Sequence, residues 1–301
     1  MITGSQGFVG GYLRQELEEY GYIVTGLDTQ TGESVLVADL LDYAMVEAAI
    51  VQVQPDVVFH LAGQANVLKS WMIPQKTVEL NVISSINLME AVRHCCPTCR
   101  IVLVGSSDQY GDLGKAGKLV PETFATHPKT PYAVSKDAQE RMASVYINAY
   151  GMNIFMTRSF NHTGAGQGRG FLIPDFAAGI VAVERGEQSC ICVGNLDTSR
   201  DFTHVRDIAR AYRLIAEKGQ VGQVYNVGSG HSYSAKEILD MLRARAHCPI
   251  PVQQSPDKMR PSDTPVICCD HSKLTADTGW MPQISMDKIL DEALQWWRTQ
   301  R

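Results

Sequence analysis

Three side chains in the middle of the chain could perform acid–base chemistry on a carbonyl oxygen. Tyr132 and Lys136, in the segment PYAVSK, stand four residues apart and therefore share one face of a helix. A free tyrosine titrates at about 10, and a neighbouring ammonium lowers that pKa. Tyr132 could then give a proton to a carbonyl oxygen as hydride reaches the carbon. Ser106, which follows an apolar run 26 residues upstream of Tyr132, could hydrogen-bond the same oxygen.

The stretch GSSDQYG, residues 105–111, offers a second kind of chemistry. Ser106, Ser107 and Asp108 could form an acid and base cluster that eliminates water from a sugar. Alternatively only Ser106 acts, by polarising a carbonyl for hydride transfer, and the carboxylate is a bystander. These residues alone leave both interpretations open.

The segment TGSQGFVGG indicates a dinucleotide site. Gly4, Gly7 and Gly10 have G-x-x-G-x-x-G spacing before an amphipathic helix, where glycine backbone and helix N–H groups can approach a pyrophosphate. Asp28 stands 18 residues beyond Gly10 and could accept hydrogen bonds from the ribose hydroxyls. It would repel a 2′-phosphate, and DTQTG supplies no basic neighbour, so NAD(H) is favoured over NADP(H). Asp39 in VADL could bind the adenine amino group or be a solvated loop acid.

Apolar runs alternate with helical patterns along the first two thirds of the chain. YIVTGL, DVVFHLAG, RIVLVGSS, NIFMTRSF and VYNVG are typical of parallel strands buried on both faces. Helices are predicted for VISSINLMEAVRHC, for SKDAQERMASVYINAYG and, from the capping-box spacing of Ser234 and Glu237, for the segment beginning SAKE. This alternation predicts an α/β fold, a doubly wound parallel Rossmann sheet with a smaller C-terminal α/β substrate-binding domain. We expect residues 1–160, with 201–227 returning to them, to bind the dinucleotide, and 161–301 to form mainly the substrate-binding domain.

Composition narrows the classes of partner. The chain of 301 residues is 45% hydrophobic with a formal net charge of −5, an ordinary globular balance that predicts no nucleic-acid or anionic-lipid partner. No apolar stretch approaches the roughly 20 residues of a membrane helix, and the start MITGSQGFVGG does not resemble a secretory signal. Eight cysteines, three of them in CCPTC (Cys95, Cys96 and Cys99), are expected to be reduced thiols, with a zinc site as the alternative. We therefore expect a cytoplasmic protein without a metal.

Seven segments resemble the extended short-chain dehydrogenase/reductase family, and the resemblance covers essentially the whole chain. They are HLAGQANV, ELNVISSINLMEA, PYAVSK, TRSFNHTG, RDFTHVRD, VYNVGSG and TGWMP. The resemblance implies catalysis by Ser106, Tyr132 and Lys136, with Asp108 as a further candidate. The cofactor contacts that it implies are Gly4, Gly7, Phe8, Val9, Gly10, Asp28, Asp39, Leu40, Leu61, Ala62, Tyr132 and Lys136. The substrate contacts that it implies are Ser107, Asn161, Asn195, Arg200 and Arg260.

Within this family, FNHTGAGQGRGFLIPDFA and VGNLDTSRDFTHVRDIARAY most resemble the reductases of GDP-4-keto-6-deoxy-D-mannose, which make GDP-D-rhamnose. The resemblance implies a GDP-linked sugar substrate, NAD or NADP as cofactor, and a homodimer in which the Tyr132 helix packs beside VISSINLMEAVRHC. Arg200 and Arg260 could grip a diphosphate, while Arg200 could instead pair with Asp201 or Asp207. His60 and His162 are expected to be structural.

Three other functions remain as alternatives. The 4,6-dehydratases of GDP-mannose need an additional acid and base. They carry an acid, commonly Glu, either directly after the hydroxyl residue, where this chain has Ser107, or two positions after it. Asp108 stands there and is one methylene shorter, which favours the reductase. A nucleotide-sugar 4-epimerase would have the same Ser106, Tyr132 and Lys136. A non-catalytic dinucleotide sensor would have no reason to hold these three side chains at catalytic spacing.

Overall fold

A parallel sheet of seven strands forms the larger part of the molecule. The computed structural model describes residues 1–111, 119–255 and 266–300. In chain order the strands are β1 (Ile2–Thr3), β2 (Gly26–Asp28), β3 (Val35–Val37), β4 (Val57–His60), β5 (Arg100–Ser106), β6 (Asn153–Ser159), β7 (Asn161–Thr163), β8 (Ile191–Val193), β9 (Ser199–His204), β10 (Val224–Val227), β11 (Ser232–Ser234), β12 (Val252–Gln254) and β13 (Val266–Ile267). The large sheet has the order β10-β6-β5-β4-β1-β2-β3, so the winding reverses between β1 and β4. This confirms the doubly wound fold.

Helices lie between these strands. They are α1 (Phe8–Glu19), α2 (Tyr43–Val53), α3 (Val67–Met72), α4 (Pro74–Val78), α5 (Ser84–Cys95), α6 (Pro131–Tyr150), α7 (Leu172–Glu184), α8 (Val205–Lys218), α9 (Ala235–Arg243), α10 (Ser272–Thr278) and α11 (Met286–Thr299). A π-helical turn over Glu79–Ile83 joins α4 to α5, and a 3₁₀ turn over Ser107–Tyr110 follows β5. None of the described helices could span a membrane by its length and hydropathy.

The central strands bury their side chains on both faces of the sheet. In β4, Val58 enters the core beneath α2, α5 and α6, while the next residue, Phe59, enters the core beneath α1 and α8. In β5, Ile101 and Leu103 face the first core and Val102 the second. Burying each such side chain contributes about 1.5–3 kcal/mol. The continuous apolar runs of the sequence therefore reflect helices on both sides of a parallel sheet.

Local signals begin and end the helices that carry candidate residues. Thr130 caps α6 by accepting a hydrogen bond from the backbone N–H of Ala133, and Pro131 fits the first helical position. Gly151 ends α6 in a left-handed conformation, with φ of 67°. Ser234 and Glu237 form both hydrogen bonds of a capping box, which confirms the helix predicted at SAKE.

A third core lies in the C-terminal part of the chain. Helices α7, α9 and α11 pack with β8 around buried apolar residues such as Ile180, Leu239 and Leu290. A small sheet has the order β11-β9-β13, and β7 pairs with β9. Strand β10 and helix α8 belong to the large sheet and its covering layer. The domain division at residues 160, 201 and 227 stays a prediction.

Three segments of strand differ from the predictions made from the sequence. Of YIVTGL, only the last two residues lie in β2, which extends to Asp28. Strand β3 was not expected, and it lies at the edge of the sheet with its side chains partly exposed. The glycine-rich segment NHTGAGQGRG was expected to be a loop, and its first three residues instead form β7. Short edge strands lack the continuous burial that makes central strands recognisable.

Candidate active site

The glycine-rich turn lies at the reversal point of the sheet, between β1 and α1. Gly4 has a φ of 70°, and a Cβ there would lie 2.9 Å from backbone atoms of Ala62. A Cβ on Gly10 would lie 2.6 Å from the carbonyl oxygens of Gly4 and Ser5. Only glycine therefore permits this packing of α1 on the turn. The Ser5 hydroxyl is buried without a hydrogen-bond partner among the described residues. The turn fits a dinucleotide, which could satisfy that hydroxyl.

Asp28 ends β2 beside this turn. Its carboxylate accepts hydrogen bonds from the backbone N–H groups of Gln6 (2.9 Å) and Gln30 (3.1 Å). Arg14, on α1, donates to the carbonyl oxygens of Val24 and Ser34. The N–H groups of Gln6 and Gln30 hold the Asp28 carboxylate at the edge of the turn, where the ribose of a bound dinucleotide is predicted to lie.

The remaining predicted cofactor residues lie at the ends of neighbouring strands. Phe8 and Val9 begin α1, and Gly7 is the residue that precedes the helix. Asp39 and Leu40 follow β3, and the Asp39 carboxylate accepts a hydrogen bond from the backbone of Leu41. Leu61 and Ala62 follow β4, where the Ala62 N–H donates to the hydroxyl of Thr3 at 3.3 Å. The structure thus gathers these residues around one edge of the sheet, and their contact with a cofactor stays a prediction.

Ser106 and Tyr132 are brought together by β5 and α6. Both side chains are buried, and the Ser106 hydroxyl is close enough to lower the pKa of Tyr132. The Ser106 oxygen also accepts the backbone N–H of Asp108 at 3.2 Å. Because that oxygen accepts from Asp108, its own hydrogen remains available for Tyr132 or for a substrate oxygen.

The pKa of Tyr132 is raised, whereas the sequence led us to expect that it would be lowered. Burial raises it well above the ordinary value, the Asp108 carboxylate raises it further, and the Ser106 hydroxyl lowers it. The expected lowering by Lys136 is not seen in the polypeptide alone, because burial penalises the phenolate more strongly. Tyr132 is therefore held as a protonated phenol, the form that donates a proton.

Lys136 lies one helical turn from Tyr132 and is buried. Its ammonium donates to the carbonyl oxygen of Val104 at 2.7 Å and to Oε1 of Gln139 at 3.0 Å. Burial lowers the pKa of Lys136 to about 8. The Gln139 amide in turn donates to the Ser85 hydroxyl at 2.9 Å. The position of the ammonium is thus fixed by neutral acceptors from β5 and α6.

His60 continues this network toward the glycine-rich turn. Its Nε2 lies 2.8 Å from the Ser85 hydroxyl, and its Nδ1 lies 2.7 Å from the Thr3 hydroxyl. Ser85 donates its hydrogen to the carbonyl oxygen of Asn81, so it accepts from His60 Nε2, and His60 Nδ1 accepts from Thr3. Burial lowers the pKa of His60 to about 3, with the Lys136 charge adding to the effect. A neutral imidazole with the proton on Nε2 therefore links Lys136, through Gln139 and Ser85, to the start of the turn.

The predicted substrate residues that the structure describes fall on four separate segments. Ser107 is buried in the 3₁₀ turn after β5. Asn161 begins β7 and pairs with Phe202 of β9. Asn195 lies between β8 and β9, and its side chain accepts the backbone N–H of Asp197. Because β6, which ends beside Ser106, leads directly into β7, Asn161 lies near the end of β5.

Arg200 lies on β9 between β11 and β13. It is in register with Tyr233 and Ile267, and its guanidinium donates to the carbonyl oxygen of Ser199 at 2.9 Å. The two acids considered as its partners have other contacts. The Asp201 carboxylate accepts hydrogen bonds from the Ser229 hydroxyl and from backbone N–H groups of the 229–230 turn and Cys269, and Asp207 forms an ion pair with Arg210. Arg260 lies outside the described residues.

Sequence reasoning missed the residues that position the catalytic groups. Gln139 and Ser85 carry the network from Lys136, and Gln109 accepts the backbone N–H of Ser106 at 2.9 Å. For Gln109 a signal was present, because Ser106 and Gln109 have the spacing of a capping box. For the other two no local pattern exists, since β4, α5 and α6 meet only in the fold.

Other candidate sites receive less support. Among the described residues, no group of three or more His, Cys, Asp and Glu side chains is placed to hold a metal ion. Seven of the cysteines are free thiols, namely Cys95, Cys96, Cys99, Cys190, Cys248, Cys268 and Cys269. The ring of His162 hydrogen-bonds the carbonyl oxygen of Phe160 at 3.0 Å, and burial lowers its pKa.

Comparison with known proteins places the chain among enzymes that act on nucleotide sugars. The family model of GDP-mannose 4,6 dehydratase matches residues 1–293. The chain is 31% identical over 299 residues to the GDP-6-deoxy-D-mannose reductase of Pseudomonas aeruginosa, covering 99% of this chain and 96% of that one. The structure of RMD from Pseudomonas aeruginosa complexed with NADPH has a TM-score of 0.88 at 30% identity, covering 99% and 98% of the two chains. The UDP-glucose 4-epimerase of Thermus thermophilus complexed with NAD has a TM-score of 0.88 at 28% identity, with the same coverage.

Proposed function

Since the chain belongs to the GDP-mannose 4,6 dehydratase family of extended short-chain dehydrogenases/reductases, we propose that it reduces a keto sugar. It is an NAD(P)-dependent nucleotide-sugar oxidoreductase, as its relatives are. The proposed reaction reduces C4 of a nucleotide-linked 4-keto-6-deoxyhexose, converting GDP-4-keto-6-deoxy-D-mannose to GDP-D-rhamnose. The observation that carries this proposal is that Tyr132 and Lys136 are buried one turn apart on α6, and that Lys136 donates to Val104 of β5, the strand that ends at the buried Ser106. These three residues supply what a reduction needs, without a further acid or base.

Each of the three residues has one role in the proposed reduction. A reduced nicotinamide, when bound at the glycine-rich turn, supplies the hydride for C4. Tyr132 donates its phenolic proton to O4, and Ser106 hydrogen-bonds the same oxygen as negative charge develops there. The ammonium of Lys136, one helical turn away, stabilises the resulting phenolate. The hydride and the proton together account for both hydrogens of the new alcohol.

A 4,6-dehydratase is the second candidate, and one observation favours it. The Asp108 carboxylate is close enough to raise the pKa of Tyr132, so an acid does lie beside the reacting groups. A dehydratase would use this carboxylate to remove the C5 proton of GDP-mannose before the C6 hydroxyl leaves. The greater similarity to the reductase of Pseudomonas aeruginosa supports reduction instead. A 4-epimerase, which would use the same Ser106, Tyr132 and Lys136, is the third candidate.

The deciding experiment offers the enzyme each substrate separately. One incubation contains GDP-mannose, and the other contains enzymatically made GDP-4-keto-6-deoxymannose with NADH or NADPH. We expect oxidation of the cofactor and a product two mass units heavier only in the second, with its C4 configuration assigned by NMR. Loss of water from GDP-mannose would identify a dehydratase, and inversion at C4 without net oxidation of cofactor would identify an epimerase.

The substrate residues and the domain division follow from the same proposal. We assign residues 1–160 and 201–227 to cofactor binding and 161–301 mainly to substrate binding. The guanidinium of Arg200 would grip the diphosphate of the nucleotide sugar, with Arg260 as a second cation. The side chains of Ser107, Asn161 and Asn195 would hydrogen-bond sugar or phosphate oxygens.

A homodimer is part of the proposal. Helices α5 and α6 pack side by side, and apolar side chains near or on them are exposed, among them Ile83, Val134 and Val145. A second copy of the chain would cover them by forming a bundle of four helices. Light scattering at micromolar concentration should give twice the monomer mass, and Val145→Glu should give the monomer mass. A monomeric wild-type protein would contradict this assembly.

Cytoplasmic location is proposed from the state of the cysteines. Cys95, Cys96, Cys99, Cys190, Cys248, Cys268 and Cys269 are free, and several of them are buried, as is common where glutathione keeps thiols reduced. Fractionation of the native host, with the enzyme followed by its activity, tests this location.

A further inference from the structure

Gln109 occupies the centre of a buried hydrogen-bond chain beside Ser106. Its side chain is fully buried in the 3₁₀ turn after β5. The amide oxygen accepts the backbone N–H of Ser106 at 2.9 Å, and the amide nitrogen donates to Oε2 of Glu140 at 2.8 Å. Glu140 lies on α6, one turn beyond Lys136. Gln109 therefore joins the backbone of the catalytic serine to the helix that carries Tyr132 and Lys136.

Glu140 is itself fixed from the opposite side by Arg158 on β6. The guanidinium of Arg158 donates to both carboxylate oxygens, at 3.0 and 2.7 Å, and both side chains are largely buried. It also lies 4.8 Å above the ring of Tyr110, whose hydroxyl donates to Asn226 at 2.8 Å. Burial opposes the charge of Arg158, but hydrogen bonding to Glu140 outweighs it and raises the pKa of Arg158. A forked, buried ion pair of this kind holds its carboxylate in one orientation.

The position of Gln109 requires a group that both accepts and donates. A carboxylate there could accept from Ser106 but would face the carboxylate of Glu140, and a thioether could neither accept nor donate well. Space is also limited, because a Cβ on Gly105 would lie 2.6 Å from Oε1 of Gln109. An amide is therefore the group that satisfies both neighbours, and leaving either of them buried without a partner would be costly.

We propose that Gln109 is a positioning residue for catalysis, which transmits the orientation fixed by Glu140 and Arg158 to the Ser106 hydroxyl. The inference rests on the proposed function only in that Ser106 must bond the reacting oxygen. Gln109 touches neither the substrate nor the cofactor in this account. Its effect on the reaction must therefore pass through Ser106, and this requirement makes the role testable.

A double-mutant cycle measures that dependence. Ser106→Ala should lower kcat by about 10²–10³-fold, as the loss of one such hydrogen-bond donor does. Gln109→Met should lower kcat about tenfold, or about 1.4 kcal/mol of barrier, and leave KM for NADH within about twofold. When Gln109→Met is combined with Ser106→Ala, kcat should fall by less than about twofold below that of Ser106→Ala alone. The reason is that no serine hydroxyl remains to be misplaced. Thr278→Val, which removes a buried hydroxyl from α10, controls for loss of stability alone and should leave kcat unchanged.

The outcomes of this cycle test the positioning role of Gln109 separately from the role of Ser106 in the proposed reduction. Equal losses from Gln109→Met with and without Ser106 would overturn the positioning role. A Ser106→Ala variant with full activity would instead overturn the role of Ser106 in the proposed function. A Gln109→Met variant with normal kcat, while Ser106→Ala is impaired, would overturn the positioning role alone.

Exchanging the side chains of Gln109 and Glu140 tests the hydrogen bonds from Ser106 through Gln109 to Glu140 without removing them. Gln109→Glu places two carboxylates together and should lower kcat more than Gln109→Met does. In the double variant Gln109→Glu with Glu140→Gln, the amide and the carboxylate exchange places. The Ser106 N–H then keeps an acceptor, and the net charge near Arg158 is restored. We expect the double variant to recover at least about tenfold of the kcat lost in Gln109→Glu. No recovery in a double variant whose Tm has returned toward the wild-type value would overturn the proposal.

Discussion

The cofactor side and the substrate side of the candidate site are built in different ways. On the cofactor side, the glycine-rich turn, Asp28 and Ala62 lie at the ends of strands of the large sheet, and hydrogen bonds between backbone N–H groups and side chains hold them there. On the substrate side, Asn161 and Arg200 lie on strands that pair with each other outside that sheet. The cofactor side has a local sequence pattern in its glycine spacing, whereas the substrate side is formed by the pairing of β7 with β9 and has no such pattern. Substitutions on the two sides should therefore separate cofactor kinetics from substrate kinetics.

Tyr132 stands where the two sides meet, and its removal should have the largest effect. Tyr132→Phe deletes the proton donor and should lower kcat by about 10²–10⁴-fold, the usual contribution of general acid catalysis. Cofactor affinity, measured by fluorescence titration, should stay within about twofold, because the ring remains. Tyr146→Phe on the same helix removes a hydroxyl that donates to Glu90 and should leave turnover near normal. Similar turnover in both variants would show that Tyr132 is not the proton donor.

Arg200→Ala should affect only the substrate side. Loss of a charge-assisted contact to the diphosphate costs about 1.5–3 kcal/mol, so KM for the sugar nucleotide should rise about 10–100-fold. KM for NADH should stay within about twofold. Arg206→Ala, which removes an exposed guanidinium paired with Glu292, is the matched control and should change neither constant. If Arg200→Ala folds normally and KM for the sugar nucleotide does not rise, Arg200 has a structural role instead.

The same contrast explains what the sequence could predict. The glycine turn, the PYAVSK helix and the central strands have local patterns, and the doubly wound sheet followed from them. The ion pair of Glu140 with Arg158 has no such pattern, because it forms only when α6 lies against β6. Strand β3 escaped detection since it is short and partly exposed. Gln109 showed the spacing of a capping box, but its buried contact with Glu140 could be seen only in the fold.

Asp28 should make the enzyme prefer NADH over NADPH, an effect smaller than those expected for Tyr132→Phe and Arg200→Ala. Two like unit charges 4 Å apart in water repel by about 1 kcal/mol. A 2′-phosphate carries a charge of about −1.5 to −2, so the Asp28 carboxylate should make the enzyme prefer NADH over NADPH by about 10–30-fold in kcat/KM. Asp28→Asn should reduce that preference, whereas Glu33→Gln, which removes a charge from the neighbouring exposed loop, should not. Initial rates at equal subsaturating cofactor concentrations measure the ratio. A clear preference of the wild-type enzyme for NADPH would contradict this assignment of Asp28.

Asp108 contributes to the site in two ways. Its carboxylate lies beside Tyr132, and its backbone N–H donates to the Ser106 hydroxyl. In a reductase no C–H bond is broken by a base, so Asp108→Asn should change kcat by less than about tenfold, or about 1.4 kcal/mol of barrier. The isosteric amide keeps the backbone contact to Ser106, and Ser106→Ala should therefore be more damaging than Asp108→Asn. In a dehydratase the same substitution would delete the base for the C5 proton and cost about 10²–10⁴-fold. Both variants are assayed with the keto sugar and with GDP-mannose. A collapse of activity in Asp108→Asn, together with release of water from GDP-mannose by the wild-type enzyme, would reverse the choice of reduction over elimination.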